Sequence, residues 1–204
     1  MSTVVLSSTY AGNIHYFSKI AHFDLVETEV YDNYLRQTYR NRCQIATADG
    51  IMDLTIPVEK PDGKCIVRDI KIADEAWQKL HWGAIMSAYH SSPYFEYYED
   101  DLRPFYTQKY KYLADFNQEL EECICNLIGC KTDFCRTQKY EKEYSKDFRN
   151  LVLIKPIEDK TFKQEPYYQI FKQKYDFIEN LSIFDLLLNM GNESILILKK
   201  SYVE

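Results

Sequence analysis

The chain lacks the glycine patterns that cradle phosphates. It has neither a P-loop nor a dinucleotide fingerprint, so no motif supports ATP or NAD use, and no cofactor is indicated. It also lacks a zinc signature. The cysteines are Cys43, Cys65, Cys123, Cys125, Cys130 and Cys135, and four of them crowd one short stretch. Cys123 and Cys125 are two apart on an expected helix, so their side chains diverge, and no histidine lies near them. Free thiols and no metal site are the expectation. No apolar run reaches the ~18–20 residues that span a bilayer. The first residues, MSTVVLSSTY, have no basic region and too short an apolar run for a signal peptide. The last, LKKSYVE, match no lipidation signal. A cytoplasmic protein with no membrane partner is therefore expected. Positive charge is scarce too: the formal net charge is −6, which argues against a nucleic-acid partner. Repeats and low-complexity linkers are missing, so residues 1–204 read as one domain. The oligomeric state is left open.

Aromatic residues are abundant: 18 Tyr and 11 Phe suit both a core and the wet wall of a binding site. The stretch from Asn33 to Cys43, NYLRQTYRNRC, stands out more. It holds Arg36, Arg40 and Arg42, with Gln37, Asn41, Tyr34 and Tyr39, and no acid interrupts it. Guanidinium groups present a rigid fork of donors to phosphate or carboxylate. A cationic stretch on an acidic chain is a candidate anion site, against the plainer reading of a solvated strand edge.

Taken in order, Thr3 to Ser7 reads as a buried strand, Ile14 to Phe23 as a helix and Leu25 to Val30 as a strand. Parallel pairing is the default for such a unit, with ligands beyond the carboxyl ends of the strands. Those ends are Ser7 to Tyr10 and the arginine-rich stretch. Arg42 to Thr47 and Ile51 to Val58 read as a hairpin turning at Ala48-Asp49-Gly50. Pro61-Asp62-Gly63 is a turn, and Ile66 to Ile72 a third strand or an extended connection. Ala73 to Tyr89 is a helix with Asp74 and Glu75 in its first turn and a stripe of Trp77, Leu80, Ala84 and Ala88. Helix follows around Pro104 and from Leu113 to Ile128, with Gly129 as its stop. Residues 132–137 form a short strand. Glu141 to Lys146 and Pro156 to Glu165 are loops, and 148–154 is a short helix or strand. Helices close the chain at 167–175, 182–190 and from 192. The fold class is α/β: a mixed, mostly parallel sheet opening with a β-α-β unit, an antiparallel hairpin and a largely helical C-terminal half. The hairpin is expected to extend the central sheet.

Three segments are candidates to converge on one pocket. The first is the loop after strand one, with Tyr10 and His15. The second is the basic stretch, with Gln37, Tyr39, Arg40, Asn41 and Arg42. On a strand Arg40 and Arg42 share a face, away from Asn41. The third is the helix carrying Trp77 and His81, which share a face four residues apart. Tyr98 and Asp101 are polar points on an aromatic wall. His81 and His15 are the candidate general bases, each weighed against a packed structural histidine. Cys43 follows the guanidinium groups, which would lower its pKa, but no base is placed beside it. The pocket would suit a phosphorylated or nucleotide-linked small molecule.

STYAGNIHYFSKIAHFDLV, NYLRQTYRNRC, LTIPVE, WQKLHWGAIMSAYHSSPYFEYYEDDLRPFY and NLSIFDLLLNMG occur in that order. Through them the chain resembles the WbqC-like protein family of bacteria, most closely its Bacteroidetes-type form, from about Val4 to Leu198. The wider family shows Pro-x-Tyr-Leu-Pro-Trp-x-Gly-Tyr-Phe after the first strand. Here Tyr10, Tyr16 and Phe17 match, while both prolines, the tryptophan and the glycine are replaced, the last by His15. Arg40-Asn41-Arg42 and Thr55-Ile56-Pro57-Val58 follow the family pattern. The resemblance implies a cytoplasmic transferase-type or accessory enzyme in the making of sugar-nucleotide precursors for surface polysaccharide (O-antigen). Acyl or aminoacyl transfer to a nucleotide-linked amino sugar is the first expectation. The second is a non-catalytic protein that binds a sugar nucleotide or a pathway partner.

Overall fold

The computed structural model describes residues 1–61, 63–155 and 157–203. The turn expected at Pro61-Asp62-Gly63 and the loop from Pro156 thus each include one residue outside the described ones.

β1 (Thr3–Ser7) is β-branched and apolar, and its last four residues are buried. α1 (Ile14–Ile20) begins where the Asn13 side chain accepts a hydrogen bond from the Tyr16 amide at 3.0 Å. β2 (Leu25–Glu29) returns parallel to β1, with Thr3 opposite Leu25 and Ser7 opposite Glu29. The sheet is completed from far along the chain. β5 (Asp133–Arg136) pairs parallel to β2, giving the order β1-β2-β5. The expected β-α-β opening is present.

β3 (Arg42–Thr47) and β4 (Gly50–Thr55) form the expected antiparallel hairpin. It turns over Ala48 and Asp49, and Gly50 follows at φ +112°. The hairpin is a separate two-stranded sheet and does not extend the parallel one. The reason lies in its hydrogen bonds. The Ala46 amide donates to the Tyr89 hydroxyl, and the Gln44 carbonyl accepts from the Ser182 amide. Side chain and loop, not a neighbouring strand, satisfy these groups. Cys43, Ile45 and Leu54 turn inward, while Ile51 and Met52 face solvent.

Residues 66–72 are an extended connection with a 3₁₀ turn at Val67–Asp69. α2 (Trp77–Tyr89) starts four residues later than expected. Asp74 lies outside it and pairs with Lys109 at 2.9 Å. Its buried stripe is Trp77, His81, Ile85, Ala88 and Tyr89, whereas Leu80 is 71% exposed. α3 (Phe95–Leu102) runs into a 3₁₀ turn at Arg103–Tyr106, where Pro104 sits. α4 (Leu113–Leu127) is amphipathic, with Phe116, Leu120 and Ile124 inside. Residues after β5 are mostly irregular, with a 3₁₀ turn at Arg149–Val152. α5 is short (Lys172–Tyr175), because Tyr167 and Gln169 run extended to reach Asp185 at 2.7 and 2.9 Å. α6 (Ile183–Met190) is capped by Ser182, and α7 (Ser194–Lys200) closes the chain.

α6 is the element on which the two halves meet. Ile183, Phe184, Leu186, Leu187 and Leu188 are fully buried. Its first turn bonds to the loop after β1: Ile183 N donates to Gly12 O, and Ser182 Oγ to Ala11 O. That loop is pinned on its other side by Tyr10 N donating to Tyr39 O. The carboxyl end of β1 is therefore a fixed platform.

Candidate functional site

Residues 38–41 cross that platform, bridged at Thr38 and then turning over Tyr39 and Arg40. Thr38 bridges Leu153, and Tyr39 N donates to Val152 O. Tyr39 lines one cleft and Arg40 another, and Leu153 forms a wall of both.

The Arg40 cleft has a volume of about 440 Å³. Arg40 is 1% exposed. Its Nη2 donates to Asp32 Oδ2 at 2.9 Å and to Ser7 Oγ at 3.4 Å. Nε and Nη1 have no hydrogen-bond partner among the described residues. A buried guanidinium with unpaired donors is costly. Burial lowers its pKa, and Asp32 works in the opposite direction. Arg149 stands on the same cleft but is saturated. It bonds Asp147 through Nε and Nη2, and Glu29 and the Glu141 carbonyl through Nη1. The hydrogen bonds it donates to Asp147 hold its pKa above the usual guanidinium range. Arg149 is thus a fixed wall, while Arg40 has donors to offer.

The second cleft, of about 350 Å³, is lined by His15, Tyr39, Leu151, Ile157 and Phe162 among others. His15 Nε2 lies 2.7 Å from Asp159 Oδ2, and its ring stacks on Phe162 at 4.0 Å. Lys19 Nζ lies 2.6 Å from the same carboxylate oxygen. Burial would raise the Asp159 pKa, but hydrogen bonds from Lys19, His15 and Thr161 hold it well below the usual carboxylate range. Burial lowers the His15 pKa, with the Asp159 hydrogen bond opposing it and the Lys19 charge adding to it. The ring is therefore neutral near pH 7. An ionised carboxylate only accepts, so the proton sits on Nε2 and Nδ1 is the basic nitrogen. An imidazole oriented in this way can take a proton from a nucleophile.

The other expected residues are placed elsewhere. Tyr10, Trp77 and His81 do come together, but inside the core. Tyr10 Oη is 3.0 Å from His81 Nδ1 and 3.0 Å from Tyr106 Oη, and Trp77 packs edge-on to the His81 ring. Burial pushes His81 down to about 4, against a backbone hydrogen bond to Thr55 that raises it. It is a neutral, packed imidazole. Arg40 and Arg42 do not share a face. Arg42 opens β3 and reaches across the hairpin to Asp53 at 3.2 Å and Thr55 at 3.2 Å. Asn41 donates to the Ile56 carbonyl at 2.8 Å. Gln37 is exposed, in a left-handed turn at φ +55°. Tyr98 is buried and donates to Asn192, and Asp101 is exposed on α3. The Cys43 thiol faces the core, and burial raises its pKa against the hydrogen bonds with Ser182 and Tyr10, so the expected lowering by guanidinium does not occur.

Lys19, Asp32, Asp159 and Arg149 were not among the sequence candidates. His15 and Lys19 are four apart on a helix, so their shared face was legible. Asp159 lies in a loop with no periodicity to mark it. Among the described residues no group of three His, Cys, Asp or Glu side chains could hold a metal ion, and no helix is long and apolar enough to cross a membrane.

The sequence model of the WbqC-like protein family matches residues 8–164, which include His15, Tyr39, Arg40 and Asp159. Uncharacterized protein Rv1507c of Mycobacterium tuberculosis is 27% identical over 219 residues, covering 93% of this chain and 94% of its own. No solved structure matches the chain.

Proposed function

The chain belongs to the WbqC-like protein family, and from that premise we propose that it binds a phosphorylated, nucleotide-linked amino sugar and transfers an acyl or aminoacyl group to it. The setting is the cytoplasmic making of surface-polysaccharide (O-antigen) precursors. The observation that carries the reading is Arg40: a buried guanidinium with two unpaired donors on a cleft beyond the carboxyl ends of parallel strands. Open α/β sheets receive ligands there, and guanidinium suits a phosphate oxygen. The neighbouring cleft supplies the reacting half. His15, held by Asp159, takes the proton as the sugar amine attacks the acyl carbonyl carbon. The C–N bond forms, the bond to the acyl carrier breaks, and the proton passes to the departing carrier. Leu151, Ile157 and Phe162 offer the acyl group an apolar wall. Tyr39 lines the His15 cleft, Leu153 is the wall common to both clefts, and Asn41 braces the crossing segment against Ile56.

The sealed position of His81 favours a second reading. The Arg40 cleft has no imidazole of its own, as a non-catalytic sugar-nucleotide binder would have none. A thermal-shift screen against nucleotide sugars, coenzyme A thioesters and free nucleotides separates the readings. Nucleotide sugars are expected to raise the unfolding midpoint of wild type and of His15→Gln, and not of Arg40→Met. Turnover with a thioester donor that is lost in His15→Gln, with affinity kept, supports transfer. Binding without turnover in wild type supports the binder. If no class shifts the wild-type midpoint, both fail.

A further inference from the structure

Three of the exposed large apolar residues, Leu35, Tyr140 and Leu153, stand on one cleft, that of Arg40. A single apolar side chain left in water is ordinary, whereas a group of them around a concave site points to a ligand surface. The cleft thus combines two chemistries. Apolar side chains line its wall, and a buried guanidinium with unpaired donors belongs to the same lining. Its ligand needs an anionic end and an apolar end, close together.

Tyr140 is 51% exposed, yet its ring is backed. The Arg149 guanidinium lies over the Tyr140 ring at 5.3 Å and over the Tyr144 ring at 4.9 Å. That guanidinium is held in place by Asp147, by Glu29 and by the Glu141 and Lys142 carbonyls, all of which accept hydrogen bonds from it. One face of the Tyr140 ring is therefore set against a fixed cation, and the exposed remainder borders the cleft. A cation on one face draws the ring's electron density toward itself. The opposite face becomes a poorer partner for an ammonium group and a better one for a stacked π-system. A planar ring also loses little freedom on a support that is already fixed.

We propose that Tyr140 is the platform on which the nucleobase of the ligand stacks, while a phosphate of the same ligand reaches Arg40. The proposal rests on the reading of Arg40 as the anchor of a nucleotide-linked ligand, and it adds the residue that recognises the nucleoside end. Leu35 and Leu153 supply apolar contact beside the ring. Stacking uses the π-face that every base has. Tyr140 therefore selects a nucleotide over a plain sugar phosphate, and does not select one base over another.

The test compares two probes that differ only in the base, uridine monophosphate and ribose 5-phosphate, by titration calorimetry on the full chain. Wild type should bind uridine monophosphate about tenfold tighter. Tyr140→Leu, which keeps an apolar side chain and removes the plane, should bind the two about equally, with ribose 5-phosphate affinity unchanged. Tyr140→Phe should restore the difference, and Arg40→Met should bind neither. Equal affinities in wild type, or a difference that survives in Tyr140→Leu, overturns the platform while the Arg40 anchor stands. Loss of both probes in Tyr140→Leu overturns it too, since the ring would then only steady Arg149. If neither probe binds wild type, the anchor reading itself fails and this one with it. In wild type a nuclear Overhauser contact between uracil H6 and the Tyr140 ring is expected. Its absence, or a contact to another ring instead, overturns the proposal whether or not a variant folds.

Discussion

Glu121 lies inside the core, where the Tyr16 hydroxyl donates to Oε2 at 3.0 Å and no cation faces it among its hydrogen-bond and ion-pair partners. Burial pushes its carboxyl up to about 8, the Tyr16 bond opposes this, and Glu122 adds to it. In the unfolded chain the group returns to the ordinary value of 4.5. The folded state therefore holds a proton that the unfolded state has released. This contribution to stability is whole below about pH 4.5 and is lost as pH rises through about 8. Above about pH 6.5, where the lowered imidazoles of His15 and His81 no longer add an opposite slope, denaturant unfolding up to pH 9 should show stability falling by up to a few kcal/mol. Asp185, also raised by burial, adds a slope of the same sign. The Glu121→Gln variant keeps the shape without the titration, so its curve should be flatter than wild type over this window. An equal slope in both would mean that Glu121 is ionised in the fold. No sequence pattern marks this group: Glu121 and Glu122 are adjacent and identical in type, and only the helix phase sends one inward. The same limit explains Arg40 and Arg42. Their alternation was legible, but Arg40 precedes the strand that Arg42 begins, so a common face does not follow.

Element by element, the readable parts were those with a local period or stop signal. β1, α4 and α6 match their expected ranges closely, since each has an apolar repeat and a Gly or Ser at an end. The segment from 137 to 171 has no such period. Its conformation comes from distant partners: Arg149 on Glu29, Lys19 on Thr161 and Gln169 on Asp185. The glycines that stop α4 and α6 allow a comparison between strain and crowding. Gly129 (φ +71°) would give an added Cβ open space, whereas Gly191 (φ +56°) would drive it into the Tyr94 ring. Gly129→Ala should cost about 1 kcal/mol, from the left-handed backbone alone. Gly191→Ala should cost about 3 kcal/mol or more, because the ring is packed and cannot yield freely. Equilibrium unfolding in urea measures both. Equal costs would show that Tyr94 moves aside.

At the scale of the whole molecule, the parallel pairing of residues 3–29 was legible, because a short crossover leaves few options. The third strand was not. β5 has four residues and arrives about a hundred residues after β2, with nothing in its own sequence to name its neighbour. The separate hairpin was hidden for the same reason, since a tyrosine hydroxyl on α2 and an amide before α6 occupy its outward groups. Such long-range closures bear on whether 1–204 is one folding unit. The family match ends at residue 164, before α6 begins. Yet Ile183, Phe184, Leu186, Leu187 and Leu188 are fully buried, and α6 bonds to Ala11, Gly12 and Gln44. Burying five such side chains contributes roughly 10 kcal/mol, comparable with the whole net stability of an ordinary domain. A chain ended at residue 164 should therefore not fold. Circular dichroism and gel filtration of that truncation should show an unfolded or aggregated species, and refolding should return only when residues through α7 are restored. A cooperative unfolding transition from the truncated chain would instead place the folding unit within the matched segment and make α6 an appended helix.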